Sequence, residues 1–442
     1  MCHSAVDMDE INLTDPELGT TKFITEHGHF KLSLYKFLNG DVDEGSSRIE
    51  NDRLKYDQRT RNLISFFKVP WQLEKMGFYA LLLSMDIFLF VFTILPIRVV
   101  IAVLKLIIIG PYRLVRGGRV LEPVQVCYLL KGVVVVASYW LLCYVDISML
   151  YHFIRKRAKI SLFILYGMLE VADRLFTLLG QDTLDVLFWT AVHPDKKKRA
   201  LPAVFIHTVI AIFAMFGHAV VVILEATTLN VSFNSPNTSR AFFSILRASK
   251  VTELKGNAFK KLKKENLFEV ACADIRERNI FVVILPMIVL LNMTEVSWDL
   301  DLFSKWFPSA CIVVLVEILI DWVKHAFIVK CNNLQPEIYM EYRAKLAYQM
   351  FSVHSRKTTA YSDYNESISR TMTLIPIPLC ILTIRVARQS FSYIGVHTVA
   401  VLILMFICLT LLKILLSIFL MGRGCKYIAD FKLHESSQKK YK

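Results

Sequence analysis

Long apolar runs dominate this chain: Phe78–Ile109, Val124–Tyr151, Leu201–Ala226, Asn279–Leu291, Pro308–Val329, Met372–Ile384 and Val396–Met421. None alternates with a period of two, as strands of a membrane barrel would. Several reach or exceed the ~20 residues that an α-helix needs to cross a bilayer core. Hydrocarbon offers no partner to backbone polar groups, so each run is expected to bond within itself as a helix. The pattern predicts an all-α fold: a polytopic helical membrane protein with amphipathic cytosolic or interfacial helices between the spans.

The polar intervals divide the chain into a disordered cytosolic tail (1–60), a helical membrane domain (61–430) and a basic C-terminal tail (431–442). Arg61–Met76 carries apolar residues among basic ones and reads as an interfacial helix broken near Pro70. Phe78–Ile109 would be about 48 Å long as one helix. Pro96, Arg98 and Lys105 divide it, either into a crossing with an interfacial second half or into a hairpin. From Ser161 to Leu179, Leu162, Leu165, Leu169, Ala172, Phe176 and Leu179 recur at steps of three and four, away from Glu170, Asp173 and Arg174. This predicts an amphipathic cytosolic or interfacial helix, tied by a Glu170–Arg174 pair and stopped at Gly180. Asp182 would cap a second short helix ending at Trp189, closing an insert near 160–192. Further cytosolic helical inserts are expected near 240–278 and 330–371. Asn279–Leu291 and Pro308–Val329 form a hairpin around the acidic stretch Glu295–Asp301, and the last two runs form another.

Composition adds an asymmetry. The chain is 55% hydrophobic yet carries a formal net charge of +14. Because Lys and Arg cluster beside spans, the charge points to an anionic cytoplasmic leaflet, with membrane lipids as partners and no nucleic acid. Lys255, Lys260, Lys261, Lys263 and Lys264 are candidates for anionic-lipid contact, or else form a solvated loop on the positive side. Positive-inside bias puts 240–278, 330–371 and 422–442 in the cytosol and 294–307 across the membrane. The basic groups Arg113/Arg116/Arg119, Arg155–Lys159 and Lys196–Arg199 do not all fit one side by simple alternation, so one early run is re-entrant or interfacial. No short apolar signal segment occurs in residues 1–76, which leaves Phe78 onward as the first membrane signal.

Chemistry is sparse. Glu317, Asp321, Lys324 and His325 share one helical face. A charge at the centre of a membrane helix costs about 2.5–3.5 kcal/mol or more, so such a face locks a bundle, lines a polar path or performs catalysis. Asp86, Arg98, Lys105, Asp146, Glu225, Arg385 and Lys413 also interrupt apolar runs, where interhelical pairing competes with an ion route. His207 and His218 lie too far apart in sequence for tight ligand spacing and read as core or interface residues. The nine cysteines form no CxxC pair and read as small buried hydrophobes. No HExxH, GxSxG, Walker or GxGxxG pattern occurs, so no enzyme activity, metal or cofactor is expected. Sequons at Asn230, Asn237 and Asn292 would report topology if glycosylated.

Several motifs together resemble the Tapt (transmembrane anterior posterior transformation) family of eukaryotic multi-pass membrane proteins. They are Leu150–Arg155 (LYHFIR), Met168–Arg174 (MLEVADR), Gly180–Asp182, Trp189–Ala191, Thr228–Ser235, Glu253–Gly256, Phe259–Lys261, Asn266–Phe268, Asp274–Arg278 (DIRER) and Asp321–Phe327 (DWVKHAF). The resemblance covers roughly residues 60–430 and marks Glu170, Asp173, Arg174, Gly180, Asp182, Gly256, Asp274, Arg276 and Arg278 as family-signature positions. It implies a non-enzymatic scaffold of the endoplasmic reticulum membrane, working with a SUN-like single-pass membrane protein in protein folding or trafficking. For animal members it implies centrosomes or ciliary basal bodies, ciliogenesis and developmental patterning. It implies no catalytic residue. The rival reading is a channel, transporter or lipid scramblase with Asp86, Asp146, Glu225 and Glu317 along one hydrated path.

Overall fold

The computed structural model describes residues 45–116, 121–157, 159–192, 197–233, 256, 262–295, 300–355, 364–390 and 396–440. They form helices α1 (Gly45–Phe92), α2 (Ile94–Arg116), α3 (Pro123–Cys143), α4 (Ile147–Arg155), α5 (Lys159–Val192) and α6 (Lys197–Phe233). Then come α7 (Lys264–Glu295), α8 (Leu300–Cys331), α9 (Ile338–Ser355), α10 (Tyr364–Thr371), α11 (Pro376–Ser390) and α12 (Val396–Lys440). No strand occurs among the described residues. Five stretches are long and apolar enough to cross a membrane: Leu63–Gly110, Pro123–Cys143, Pro202–Ser232, Lys264–Thr294 and His397–Ser437.

Several local expectations change. The first helix starts at Gly45, inside the stretch read as tail, and runs through Pro70 without a break. Its polar start is rich in Arg, Lys, Glu and Gln, which favour helix. Beyond it, Val69, Leu73 and Met76 are buried and hold the helix across the proline. The long run Phe78–Ile109 breaks at Thr93, whose hydroxyl donates to the Leu89 carbonyl. Pro96 then falls in the first turn of α2, where a proline costs little. Val124–Tyr151 is also two helices. Asp146 is the N-cap of α4, its carboxylate accepting the amides of Ser148 and Met149. It is therefore an exposed cap rather than an intramembrane charge.

The largest revision concerns α5. It is a single helix of 34 residues, and Gly180 does not stop it. A Cβ on Gly180 would lie 2.4 Å from Met215 Cε and 2.8 Å from Ile375 Cδ1, and one on Gly217 would lie 2.8 Å from Phe176 Cε1. These glycines let α5 and α6 approach closely, which matters where lipid supplies no hydrophobic drive for helix association. Asp182 is exposed in mid-helix and caps nothing. The expected apolar face is largely the inner one: Leu162 and Leu169 are buried, and Leu165, Ala172 and Phe176 are half-buried, while Leu179 is exposed. Asp173, placed off that face by the pattern, is buried beside it with Tyr166, Thr177, Gly180, Leu184 and Leu187. A second apolar set, Ile164, Met168, Val171, Leu175, Leu178 and Trp189, faces outward, as contact with lipid favours.

Contacts give each helix a direction. The basic α7 N-terminus meets the end of α8, where the Leu262 amide donates to Asn332 Oδ1; we label this the tail end. At the opposite, hairpin end, Asn292 near the end of α7 donates to Asn230 near the end of α6 at 2.9 Å. So α6 and α7 run in the same direction, as does α11, which follows α7 from Arg276–Thr373 to Met287–Thr383. By contrast α5 runs antiparallel to α6, pairing Thr190 with His207 and Asp173 with His218. Around α7 the core has two parts. Its first half packs with α1, α8, α9 and α12; its second half packs with α3, α5, α6 and α11.

This geometry settles the conflict among the early basic segments. The α4 helix lines a cavity with the last turns of α6 and α7 and with α11, so Arg155 sits at the hairpin end. It is α5 that returns the chain to the tail end. The residues joining α6 to α7 (234–261, Gly256 aside) lie outside the described residues, as do Asn237 and most of the expected 240–278 insert. That insert's remainder is the first half of α7. Of the sequons, Asn230 and Asn292 bond to one another inside the bundle, and Asn292 is only 3% exposed.

Two outcomes test this arrangement. In a cysteine-free background, Ser148→Cys and Thr294→Cys are expected to react with an impermeant maleimide from the same side of sealed vesicles, and Lys263→Cys from the other; labelling of Ser148→Cys with Lys263→Cys would refute the α4–α5 path. Gly180→Val is expected to lower thermal stability in detergent by about 1–3 kcal/mol through overpacking. Gly180→Ala should be far milder, because it meets only the flexible tip of Met215 and the Ile375 δ-methyl.

Candidate functional site: a buried charge hub on α7

The densest chemistry lies where the first half of α7 is enclosed by its neighbours. Successive helix residues turn by 100°, so Asp274, Arg276, Glu277 and Arg278 leave α7 in different directions. Asp274 faces α8, where its Oδ1 accepts Lys324 Nζ at 2.6 Å and its Oδ2 bonds His325 Nε2 at 2.8 Å. Arg278 spans two helices, donating from Nε to Asp321 Oδ2 and from Nη1 to Glu74 Oε1 of α1, both at 2.8 Å. Trp322 Nε1 donates to the same Glu74 oxygen at 2.6 Å. On another side Glu277 accepts Arg174 of α5 at 2.6 Å, and Arg174 also holds Glu170 at 2.9 Å. Arg276 donates to the Thr373 carbonyl in the turn before α11. Thr373 has a positive φ of 46°, which turns that carbonyl into reach.

The Asp274 arm ends in α9. His325 Nδ1 lies 2.8 Å from the Tyr339 hydroxyl. A carboxylate only accepts, so His325 Nε2 carries a proton toward Asp274, while Nδ1 shares a hydrogen bond with the Tyr339 hydroxyl. Burial among apolar neighbours, with Tyr342 and Asp274 adding to it, lifts the Tyr339 phenol well above its ordinary value and keeps it a donor. The Asp–His–Tyr order resembles a relay, but His325 and Tyr339 are both 0% exposed and Lys324 only 2%. No substrate atom reaches them. The arrangement binds four helices; it does not offer a nucleophile.

Of the expected face, Asp321, Lys324 and His325 therefore join one network. Glu317 is buried one turn earlier on α8, outside the contacts just described. Glu225 is buried on α6, the helix whose His218 is bonded to Asp173 at 2.8 Å. Asp86 lies elsewhere, on α1, where Lys413 Nζ and Ser417 Oγ of α12 both donate to it, at 2.6 and 2.8 Å. Asp146 caps α4, and Asp86, Glu225 and Glu317 lie on three different helices, α1, α6 and α8. Arg98 bonds Tyr128, and Arg385 bonds the carbonyls of Leu142 and Val145. Gly256 is exposed; Lys263 and Lys264 are exposed at the start of α7, and Lys255, Lys260 and Lys261 lie outside the described residues. Among the described residues no group of three His, Cys, Asp or Glu side chains is placed to hold a metal ion.

Sequence reading missed Glu74 and Tyr339 as hub members; Glu277 and Trp322 lie within the Asp274–Arg278 and Asp321–Phe327 motifs. Glu74 precedes an apolar run and Tyr339 follows a polar loop, and neither signals a partner that is remote in sequence.

The hub predicts strong non-additivity. Asp274→Ala or Lys324→Met alone leaves an uncompensated buried charge and is expected to cost about 3–5 kcal/mol. The double variant should recover part of that loss in detergent melting; additive losses would show that the two groups do not interact.

Comparison with known proteins agrees with this architecture. The model of a family described as "Eukaryotic membrane protein family" matches residues 121–429, which include the whole hub except Glu74. The chain is 43% identical over 408 residues to Transmembrane anterior posterior transformation protein 1 of Mus musculus, covering 92% of this chain and 71% of that protein. It is 36% identical over 409 residues to Protein TAPT1 homolog of Drosophila melanogaster, covering 92% of this chain and 60% of the fly protein. Against Protein TAPT1 homolog of Dictyostelium discoideum the identity is 32% over 410 residues, with 89% and 48% covered. No solved structure matches the chain.

Proposed function

The chain belongs to the eukaryotic membrane protein family of the Tapt proteins, and from that premise we propose that it is a non-enzymatic scaffold of the endoplasmic reticulum membrane. It works with a SUN-like single-pass membrane protein in protein folding or trafficking. In animals this activity feeds ciliogenesis at centrosomes or ciliary basal bodies, and developmental patterning. The words "anterior posterior transformation" in the relatives' name support the developmental part.

One observation carries the scaffold reading: many interior charges pair with one another across helices while the lateral surface is apolar. Asp86, Asp173, Asp274, Glu277 and Asp321 each hold a cation or histidine from another helix. The outer faces of α2, α5 and α12 are lined by large exposed apolar residues, among them Ile107, Ile108, Met168, Leu175, Leu404 and Leu415. Apart from Lys413 and Leu420 the described side chains of α12 from His397 to Met421 are at most half-buried, which makes it a broad lateral surface for another membrane helix.

Capture of the tagged chain at endogenous level in mild detergent tests the proposal. The expected result is near-equimolar recovery of a single-pass protein with a lumenal domain. A variant that recovers no partner yet fully rescues null cells would refute it. Ion or lipid flux in reconstituted vesicles that is lost in Glu317→Gln would move the function to transport.

A further inference from the structure

A groove of about 1010 Å³ opens sideways between α7 and α8. Phe281, Leu285, Val289, Met293, Phe307 and Leu315 are among its walls, and Glu74 is the one charged residue that lines it among the described residues. Along α7 it extends from Phe281 to Met293, about 18 Å of helix rise. The hydrocarbon half of one leaflet is about 15 Å. Residues suited to a membrane interface mark the floor of the groove. Glu74 lies four residues before the apolar run of α1 begins at Phe78. Trp322 lines the groove beside it, and the exposed Trp71 packs under Lys75 one turn away. Tryptophans at that level are what an interface selects. A bilayer leaves no such space empty, and the groove is deep enough for acyl chains from the leaflet at the tail end.

The floor specifies a head group. Both hydrogen bonds to Glu74, from Arg278 and Trp322, fall on Oε1. Oε2 accepts none from the described residues. Glu74 and Asp321 share the single guanidinium of Arg278. Glu74, whose side chain is 32% exposed, is the open edge of that arrangement. A cation with an N–H to donate suits the open carboxylate oxygen.

We propose that this groove binds one phospholipid with a primary ammonium head, its chains along α7 and α8 and its ammonium donating to Glu74 Oε2. The site is independent of the scaffold reading. A choline head carries the same charge but no N–H, so the two are discriminated by hydrogen bonding.

The full chain, reconstituted in equal phosphatidylethanolamine and phosphatidylcholine of identical acyl composition and then gently extracted, is examined by native mass spectrometry. The expected result is about one retained lipid per chain, with phosphatidylethanolamine enriched about threefold or more. Glu74→Gln should abolish the enrichment while a lipid is still retained. Ala310→Trp, which fills the groove and touches no charge, should abolish retention with an unchanged thermal melt. Retention in the bulk ratio, or unchanged retention in Ala310→Trp, overturns the proposal. So does a polypeptide, rather than lipid, crosslinked to a photoreactive group at Leu315.

Discussion

A helix that buries charge on every side forces its neighbours into place. That is the situation of α7, whose Asp274, Arg276, Glu277 and Arg278 point around the helix into four different packing interfaces. Each of these groups is costly to desolvate and is tolerated because a neighbouring helix or turn supplies a bonding partner. The requirement fixes where α1, α5, α8 and the α10–α11 turn sit, because each must deliver a complementary atom at hydrogen-bond distance. Apolar packing alone is far less selective, since an aliphatic face accepts many rotations of its partner. The hub therefore works as a register device: it contributes modest net stability but penalises heavily any arrangement that leaves a member unpaired.

The same logic explains the surface. Within lipid, helices gain nothing from hiding apolar side chains, so association rests on close packing and on interhelical polar bonds. Gly180 and Gly217 provide the first between α5 and α6, and Asp173–His218 provides the second. With polar groups drawn inward, the outer face of α5 is left apolar. Asp86 with Lys413 and Ser417 repeats the device between α1 and α12, far along the chain from the main hub.

A bundle locked this way is rigid at its centre and bare at its flanks. Rigid presentation of long apolar faces suits capture of another membrane helix, and an open groove against the bilayer suits an ordered lipid. The buried His325–Tyr339 pair shows why burial matters as much as geometry. An order of groups that would be reactive in a cleft is inert where no substrate atom can approach.

Much was legible without coordinates. Uninterrupted apolar runs dictate helices because hydrocarbon leaves backbone amides no other partner, so the all-α membrane class and most spans followed from the sequence by itself. The ordered motifs around Met168–Arg174, Asp274–Arg278 and Asp321–Phe327 carried the family. Only the tertiary structure decided what those motifs do. Whether Asp173 faces lipid, water or His218 depends on a residue 45 positions away, so periodicity along α5 located an apolar face but not the buried acid beside it. Gly180 has the same identity in a helix stop and in a tight helix crossing, and Met215 and Ile375, distant in sequence, select the crossing. Glu74 belongs with Arg278 only because the fold brings α1 against α7. Helix formation is a local property of the chain, whereas the pairing of buried charges depends on partners that folding alone brings together.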